Sequence, residues 1–186
     1  MSKTILGIYD LTEARFLSGA SLTLIDGPLE LGWRHSGLTS DFIADAMALP
    51  FSASKMLHAE IHHSIGYLSN ELIENAVKFR QPGKIMIEAC VIAGVFLMRV
   101  SNDIDIETSQ RFQDILTKIL AADPSELLIG QIEANAASDA TGSGLGLLTL
   151  LADYDARMSW EFEPLGGDRI KLTTTASLTL PLASNG

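Results

Sequence analysis

Three polar side chains of the segment YLSNELIENAVKF, residues 67–79, have types and a spacing that suit phosphate chemistry. Glu71, Asn75 and Lys78 follow one another at spacings of four and three residues, which brings side chains together on one face of a helix. A carboxylate can accept a proton, an amide oxygen can complete the coordination shell of Mg²⁺, and an ammonium group can bind phosphate. A charged outer face is also typical of an ordinary surface helix, so these residues alone leave a catalytic and a structural interpretation open.

A glycine-rich loop lies further along the chain, in SDATGSGLGLLTLLADY, where Gly142, Gly144 and Gly146 precede an apolar helix. Glycines let backbone N–H groups approach a phosphate closely, and the N-terminus of the following helix adds favourable partial charge. The loop is not a Walker A motif, because no Gly-Lys-Ser/Thr follows. Leu147 stands where a dinucleotide-binding fingerprint has its third glycine. Alone, the loop is either a flexible turn or a phosphate-binding loop.

The composition limits the class of protein that can carry these residues. The 186 residues, 47% hydrophobic and 19% charged, suit one globular domain with a substantial core. The net charge is −10 and Lys and Arg form no long run, so we expect no binding to nucleic acid. The longest apolar run, residues 90–98, is too short to span a bilayer and no signal peptide precedes it, which predicts a cytoplasmic protein without a membrane segment. Cys90 in that run is expected to be a buried reduced thiol.

The N-terminal part of the chain predicts strands before helices. Residues 21–34 alternate in short bursts around a Gly-Pro pair, which predicts two strands joined by a turn. His35 then follows the second strand instead of lying on a helix, unlike the phosphorylated histidine of sensor kinases. A helix that ends near Pro50 has three consecutive N-cap candidates, namely Thr39, Ser40 and Asp41.

The rest of the chain predicts helices and strands in alternation. A long helix runs from Ser54 to Phe79, where a Gln-Pro-Gly turn stops it. The predicted helices and strands together indicate an α+β two-layer sandwich, with helices on one face of a mainly antiparallel sheet. The further elements are an antiparallel hairpin of strands 84–92 and 95–101, two helices over 107–136 divided at Asp123-Pro124, a helix over 145–154, and strands near 158–164 and 170–182.

The long helix has one apolar face and one polar face. Glu71, Asn75 and Lys78 fall outside the apolar stripe. The adjacent His62 and His63 point about 100° apart, so they are not expected to hold a metal ion jointly. The stripe that should lie on the sheet consists of Ile61, Ile65, Leu68, Leu72 and Ala76.

Together and in this order, the two polar segments resemble the ATP-binding domain shared by gyrase B, the Hsp90 chaperones, the sensor histidine kinases and MutL, the GHKL superfamily. ELIENAVKF is similar to that superfamily's N-box, and GSGLGL is similar to its second glycine box. The tail, with a helix, a strand, a Gly-Gly turn and a last strand ending in LTLPL, is similar to the end of many histidine-kinase domains. The resemblance implies the Bergerat, or histidine-kinase-like ATPase, fold for residues 29–186. Residues 1–28 would be an N-terminal extension or a dimerisation segment.

The resemblance also implies roles for the residues of both motifs. Asn75 would coordinate Mg²⁺, and Lys78 would reach the phosphates of ATP. Histidine kinases usually carry Asn where this chain has Glu71. A Glu at this position is similar to that of the anti-sigma-factor serine kinases, where it activates the acceptor hydroxyl. The glycines that would line the loop over the triphosphate are Gly142, Gly144 and Gly146.

One part of the family pattern is absent from this chain. The first glycine box, D-x-G-x-G, should follow VFLMRV, where this chain has SNDIDIET. Asn102, Asp103 and Asp105 are available there to hydrogen-bond the adenine amino group, but the glycines that shape the adenine pocket are missing. A similar loss is found in the stand-alone SiaB-like regulatory kinases, which act with partner-switching proteins.

The function that the resemblance implies is that of a small ATP-dependent serine/threonine kinase. It would use ATP and Mg²⁺ to phosphorylate a protein partner related to the STAS-domain antagonists of anti-sigma factors. Residues 107–141 would form a lid over the nucleotide, and residues 1–28 could hold two copies of the chain together. The alternative is a degenerate binding module that sequesters a regulatory partner without phosphorylating it.

Overall fold

The fold is built on one antiparallel sheet with helices against one of its faces. A computed structural model describes residues 2–16, 18–25, 33–138 and 145–181, with the backbone alone for residues 33, 34 and 136–138. Within these residues there are six strands and five α-helices. In chain order they are β1 (Thr4–Gly7), β2 (Ala20–Ile25), α1 (Trp33–Ala48), α2 (Lys55–Phe79), β3 (Lys84–Ile92), β4 (Val95–Asp105), α3 (Ile106–Leu120), α4 (Pro124–Ser138), α5 (Leu145–Ala152), β5 (Arg157–Gly166) and β6 (Arg169–Thr179).

The sheet order is β1-β5-β6-β4-β3-β2, and each neighbouring pair is antiparallel. Apolar side chains of its inner face and of α1 and α2 form one buried core. The predicted α+β class is therefore confirmed, and the arrangement is compatible with a two-layer sandwich. No helix among the described residues is both long enough and apolar enough to cross a bilayer.

The central hairpin follows directly from the sequence pattern. Strands β3 and β4 pair as predicted, from Ile92 opposite Val95 outward. The turn between them places Ala93 and Gly94 at φ values of 50° and 77°, the left-handed region that two-residue hairpin turns require. Strand β4 is longer than predicted and continues to Asp105, because β6 pairs with it along its whole length.

Helix α2 has the predicted bounds and the predicted buried face. Ser54 is its N-cap and accepts a hydrogen bond from the backbone of Leu57 at 3.4 Å. The helix ends at Phe79, just before the Gln-Pro-Gly turn. Its whole predicted stripe is buried in the core, that is Ile61, Ile65, Leu68, Leu72 and Ala76.

The prediction for the start of α1 is wrong. Trp33 and Arg34 were assigned to a strand but belong to this helix, which also carries His35, while residues 29–32 lie outside the described residues. The N-cap assignment fails as well, since Thr39 and Ser40 lie inside the helix and donate to backbone carbonyls of the preceding turn at 2.6 and 2.8 Å. Polar residues in the first turns of α1 hide its helical periodicity in the sequence. The helix is stabilised by burial of its later residues against α2.

The next helices agree with prediction. Asp123 and Pro124 divide the two helical segments, and Asp123 Oδ1 accepts hydrogen bonds from two backbone N–H groups at the start of α4. Helix α3 begins at Ile106 after the N-cap Asp105, and α4 begins at Pro124. Helix α5 begins at Leu145 as expected.

The N-terminal residues supply both edges of the sheet. Strand β2 was predicted and pairs with β3, whereas β1 was not predicted and pairs with β5 through only four residues. A four-residue strand is too short for alternation to be read from sequence. Residues 1–28 therefore contribute two edge strands, and their predicted role as an extension or dimerisation segment stays a prediction.

The chain crosses the outer face of the sheet between these two edges. This strap, defined as residues 9–16, begins with a 3-10 helix that contacts β5 and β6. Arg99 on β4 holds it, donating to the carbonyl oxygens of Ala14 at 2.9 Å and Thr12 at 3.5 Å. The guanidinium carbon of Arg99 also lies 4.7 Å from the centre of the Phe16 ring. The strap and Arg99 therefore cover part of the face opposite the helices.

Cys90 is fully buried and is a free thiol, as predicted. It lies on the outward side of β3, where a methyl group built at Gly19 would overlap its Cβ. Burial, with a smaller contribution from the carboxylate of Glu88, raises the pKa of the Cys90 thiol. The thiol is thus protonated at neutral pH and acts as a small apolar side chain.

Replacing Arg99 by Met is expected to lower the free energy of unfolding by about 1–3 kcal/mol, because two carbonyl groups of the strap lose a charged donor. Urea unfolding followed by circular dichroism measures the change. Arg15→Met is the matched control, since Arg15 is an exposed side chain in the strap itself. Equal stabilities of the two variants would show that Arg99 does not anchor the strap.

Candidate functional site

A cavity in the described part of the chain lies between the inner face of the sheet and helices α2, α3 and α5. Its volume is about 810 Å³. Its lining combines apolar side chains with charged and polar ones. The apolar residues contributed by the sheet, α3 and α5 include Val100, Ile104, Phe112, Leu150, Met158, Trp160 and Leu172, and the polar residues include Tyr67, Glu71, Glu74, Asn75, Lys78, Asn102, Thr108, Arg111 and Thr174.

Helix α2 supplies the polar residues predicted from its spacing. Glu71, Asn75 and Lys78 all line the cavity, next to the buried stripe that fixes the rotation of the helix. Glu71 is half-buried, whereas Asn75 and Lys78 are exposed at the rim. The Lys78 ammonium lies 5.1 Å from the centre of the Phe79 ring. The helix therefore presents the partly desolvated carboxylate of Glu71 to the cavity. The exposed amide of Asn75 lies one turn further on, and the ammonium group of Lys78 lies about two turns further on.

The carboxylate of Glu71 has an unusual environment for an acid. Burial, and then the negative charge of Glu74, raises the pKa of Glu71. Glu74 itself accepts a hydrogen bond from Asn70 at 3.1 Å. A carboxylate with a raised pKa accepts a proton more readily than an exposed one, which suits a general base.

The start of α5 is built around Glu71. Gly146 lies against this carboxylate, and a methyl group built at Gly146 would overlap Glu71 Oε2. Any larger residue at position 146 would have to displace the acid. Gly142 and Gly144 lie outside the described residues, so Gly146 is the glycine of the loop that the structure places at the cavity.

Strand β4 sends one of the three predicted base-contacting residues into the cavity. Side chains alternate along a strand, so Asn102 shares the inner face with Val100 and Ile104. Asn102 is 4% exposed and lines the cavity. Its Nδ2 has no hydrogen-bond acceptor among the described residues.

The other two residues of that set do not line the cavity. Asp103 faces the outer side of the sheet and forms an ion pair with Arg169. Asp105 is the N-cap of α3, where it accepts from the backbone N–H of Thr108 at 2.6 Å and from Gln81 Nε2 at 3.0 Å. The hydrogen bond from the Thr108 backbone is the main cause that lowers the pKa of Asp105. Both carboxylates therefore have structural partners, and the assignment of adenine contacts to them finds no support in this geometry.

Helix α3 contributes rim residues that the sequence reasoning missed. Thr108 and Arg111 line the cavity, and Arg111 places a second cation at its edge besides Lys78. They share a helix face with Phe112, which makes edge contacts with Trp160 and Phe162 at centroid distances of 6.5 and 6.1 Å. The spacing of these residues by three and four along α3 was the available signal.

The two adjacent histidines have separate partners, as their positions on the helix suggested. His62 Nε2 lies 2.9 Å from Asp45 Oδ1, and His63 Nε2 lies 3.2 Å from the Tyr154 hydroxyl. The Tyr154 ring stacks on that of Tyr67 at a centroid distance of 4.9 Å. Across the described ranges, no group of three or more His, Cys, Asp or Glu side chains is placed to hold a metal ion.

Comparisons of the chain with family models, with curated proteins and with solved structures gave no match. The residues and geometry of the cavity are therefore the basis for a functional proposal. They define a site with apolar lining residues, one buried unpaired amide, and exposed carboxylate, amide and cationic side chains.

Replacing Glu71 by Gln is expected to stabilise the protein at pH 7 but not at pH 4. The raised pKa means that the folded state binds a proton more tightly than the unfolded state, so stability falls as the pH rises above the ordinary pKa of 4.5. The gain at pH 7 should be about 0.5–1 kcal/mol, small because water screens a half-exposed carboxylate. Urea unfolding at both pH values measures it, with the exposed Glu60→Gln on the same helix as control. A gain of the same size at both pH values would contradict this origin.

Replacing Gly146 by Ala is expected to lower the free energy of unfolding by no more than about 1 kcal/mol, because the new methyl group displaces the Glu71 carboxylate but that group ends a flexible side chain. The double variant Glu71→Ala/Gly146→Ala removes the overlapping atoms and should recover most of this loss. A double-mutant cycle in urea gives the coupling between the two residues. Additive effects would mean that the two residues do not touch.

Proposed function

We propose that this chain binds Mg²⁺·ATP in the cavity and transfers the γ-phosphoryl group to a serine or threonine of a protein partner. The observation that carries the proposal is that Glu71, Lys78, Asn102 and Gly146, from three separate elements, line one cavity. Glu71, Lys78 and Gly146 belong to the two motifs that resemble the GHKL superfamily. The Bergerat fold and the domain bounds 29–186 are part of this proposal.

The mixed lining of the cavity supports nucleotide binding. A nucleobase is flat and largely apolar, and the partly buried Phe112 in the cavity lining offers it aromatic surface. The triphosphate is anionic, and Lys78 and Arg111 at the rim offer it positive charge. A nucleotide placed with its base inward would therefore meet complementary groups along its length.

The donor set at the rim also suits Mg²⁺. This ion takes few ligands from protein, prefers oxygen and keeps several waters beside phosphate oxygens. The side-chain oxygen of Asn75 is exposed at the rim and would hold it, which does not require the cluster of acids that dedicated metal sites use. When bound, the ion would neutralise phosphate charge.

The transfer step assigns the acid–base role to Glu71. The hydroxyl oxygen of the partner attacks the γ-phosphorus, and the bond from that phosphorus to the β,γ-bridging oxygen breaks. The hydroxyl proton passes to Glu71, and ADP leaves with the electrons of the broken bond. Lys78 and Arg111 stabilise the charge on the phosphoryl oxygens. The raised pKa of Glu71 suits it to receive the proton.

The type of protein partner is inferred from the kinase subclass that carries a Glu at the position of Glu71. The resemblance to the anti-sigma-factor serine kinases suggests a STAS-domain protein with an acceptor serine or threonine. A homodimer held through residues 1–28 remains part of this proposal.

A binding module without phosphoryl transfer is the second candidate. Two observations favour it, namely the absence of the first glycine box and the structural roles of Asp103 and Asp105. Such a module would bind a regulatory partner, with or without nucleotide, and release no phosphorylated product.

Isothermal titration with Mg²⁺·ATP tests binding, and transfer of ³²P from labelled ATP to the protein encoded beside this chain tests the reaction. Glu71→Gln should keep ATP binding but lower transfer by about 10²–10⁴-fold, because it removes the base. Lys78→Met and Asn75→Ala should each weaken ATP binding by about 10- to 100-fold, since each removes a group that interacts with the phosphates or their ion.

Lys118→Met is the matched control, since Lys118 is exposed on α3 and does not line the cavity. Acid-stable product identifies phosphoserine or phosphothreonine, whereas acid-labile product would indicate phosphohistidine instead. ATP binding without transfer would favour the binding module. Transfer that persists at full rate in Glu71→Gln would rule out the proposed mechanism.

A further inference from the structure

Two stacked tyrosines lie next to Glu71, on the side opposite to Lys78. Tyr67 is one helical turn before Glu71 on α2, and it lines the cavity. Tyr154 follows the end of α5, and its ring stacks on that of Tyr67 with a centroid distance of 4.9 Å and an angle of 7° between the planes. Its hydroxyl lies 3.2 Å from His63 Nε2, and these three side chains are here called the tyrosine surface. The two tyrosines are half-buried and His63 is exposed, so a second molecule can reach them.

The surroundings of the tyrosine surface are acidic. Over residues 56–77, helix α2 carries three Glu residues and no Lys or Arg. Two of these, Glu60 and Glu74, are exposed, and each lies two turns from Tyr67 on the same side of the helix. Asp153 is exposed at the end of α5, directly before the second tyrosine. Burial, and in smaller part the negative charge of Asp153, raises the pKa of both tyrosines, which places this carboxylate close to the two rings.

Aromatic rings next to carboxylates are favourable surroundings for a cationic side chain. The face of a tyrosine ring attracts a cation, and a nearby carboxylate forms a charge-assisted hydrogen bond with it. Arg suits such surroundings better than Lys, because its planar guanidinium can contact a ring and donate to a carboxylate at the same time. The tyrosine surface is therefore complementary to a basic side chain of another molecule.

The side from which a protein partner reaches Glu71 follows from the proposed position of the nucleotide. The phosphates would lie towards Lys78, further along α2, and Gly146 of α5 lies against the Glu71 carboxylate. A segment that brings a hydroxyl group to Glu71 would then cross the helix on the other side, over Tyr67. The residues that flank the acceptor hydroxyl would thus contact the tyrosine surface.

We infer that the tyrosine surface and the carboxylates around it bind a basic side chain of the partner, so that the acceptor serine or threonine lies within a few residues of an Arg or Lys. The inference rests on the proposed function and names the class of segment that would be phosphorylated. Acidic segments would be poor substrates, because Glu74 and Asp153 repel their carboxylates. A basic segment also complements the net charge of −10 of this chain.

Binding to this surface can be measured without phosphoryl transfer. The chain has three tyrosines, and Tyr9 lies in the strap on the opposite face of the sheet, so it is an internal control. The probe is a peptide with a central serine, an arginine two positions to each side and alanine elsewhere. In NMR spectra of the chain with ¹³C-labelled tyrosine and Mg²⁺·ADP, this peptide should shift the ring signals of Tyr67 and Tyr154 but not that of Tyr9. The same peptide with glutamate in place of arginine should shift none of them at the same millimolar concentration.

Phosphoryl transfer tests whether this binding selects the substrate. In a library of peptides with a central serine and each flanking position varied in turn, Arg should be preferred over Ala by about tenfold at one or more positions. Asp153→Lys should reduce this preference to about twofold or less and should speed transfer to peptides with Glu, whereas a loss of stability would slow transfer to all of them. Asp114→Lys is the matched control, since Asp114 is exposed on α3 and does not line the cavity, and it should keep the preference for Arg.

The possible outcomes distinguish the basic-segment site from the kinase function. Transfer without a preference for Arg, or with a preference that Asp153→Lys leaves intact, would overturn the basic-segment site and leave the kinase function. Shifts of Tyr67 and Tyr154 with the arginine peptide, but no transfer to any peptide or to the protein encoded beside this chain, would support binding of a basic segment and contradict the kinase function. Absence of both the shifts and the transfer would overturn the two together.

Discussion

The burial of one stripe of α2 against the inner face of the sheet determines where the other parts of the site lie. Ile61, Ile65 and Leu68 are fully buried, and Leu72 continues the same line towards the cavity. Turning the helix would expose this stripe to water, at a cost of about 1.5–3 kcal/mol for each large side chain. The rotation of α2 is therefore strongly constrained. Glu71, one residue before Leu72, must point to the side of the stripe, where the sheet and α5 form the cavity wall.

The same packing creates a boundary between apolar and polar surroundings, and the groups on this boundary are not in their most stable environments. Glu71 is half-buried and close to Glu74, which raises its pKa, and Asn102 is buried without an acceptor for its Nδ2. Each arrangement lowers the stability of the free protein. Asp105 at the start of α3, by contrast, accepts hydrogen bonds from Gln81 and from the backbone of Thr108. A carboxyl group whose pKa is shifted by burial at the wall of a cavity is typical of sites that bind a ligand.

The outer face of the sheet is organised by a different interaction. One side chain, Arg99, contacts the strap through two carbonyl oxygens and the ring of Phe16, and it lies 3.5 Å from a carboxylate oxygen of Glu88. The strap connects β1 at one edge to β2 at the other, so these contacts help to hold both edge strands in place. Polar side chains on this face, such as Thr175 and Ser177, are buried although the five α-helices of the described residues lie against the other face. The inner face thus carries the cavity, and the N-terminal residues complete the sheet from the opposite side.

Local patterns in the sequence determined the parts of the structure that depend on near neighbours along the chain. The bounds of α2, the β3–β4 hairpin and the grouping of Glu71 with Asn75 follow from helical and strand periods, because side chains three or four residues apart meet on any helix. Tertiary structure decided what depends on distant segments. From the sequence, Asn102 and Asp103 were both expected to contact adenine. Pairing of β4 with β6 and packing of α3 place Asn102 at the cavity and Asp103 against Arg169. The four residues of β1, the early start of α1 and the strap likewise depend on pairing and burial against elements far away in sequence, which no local period records.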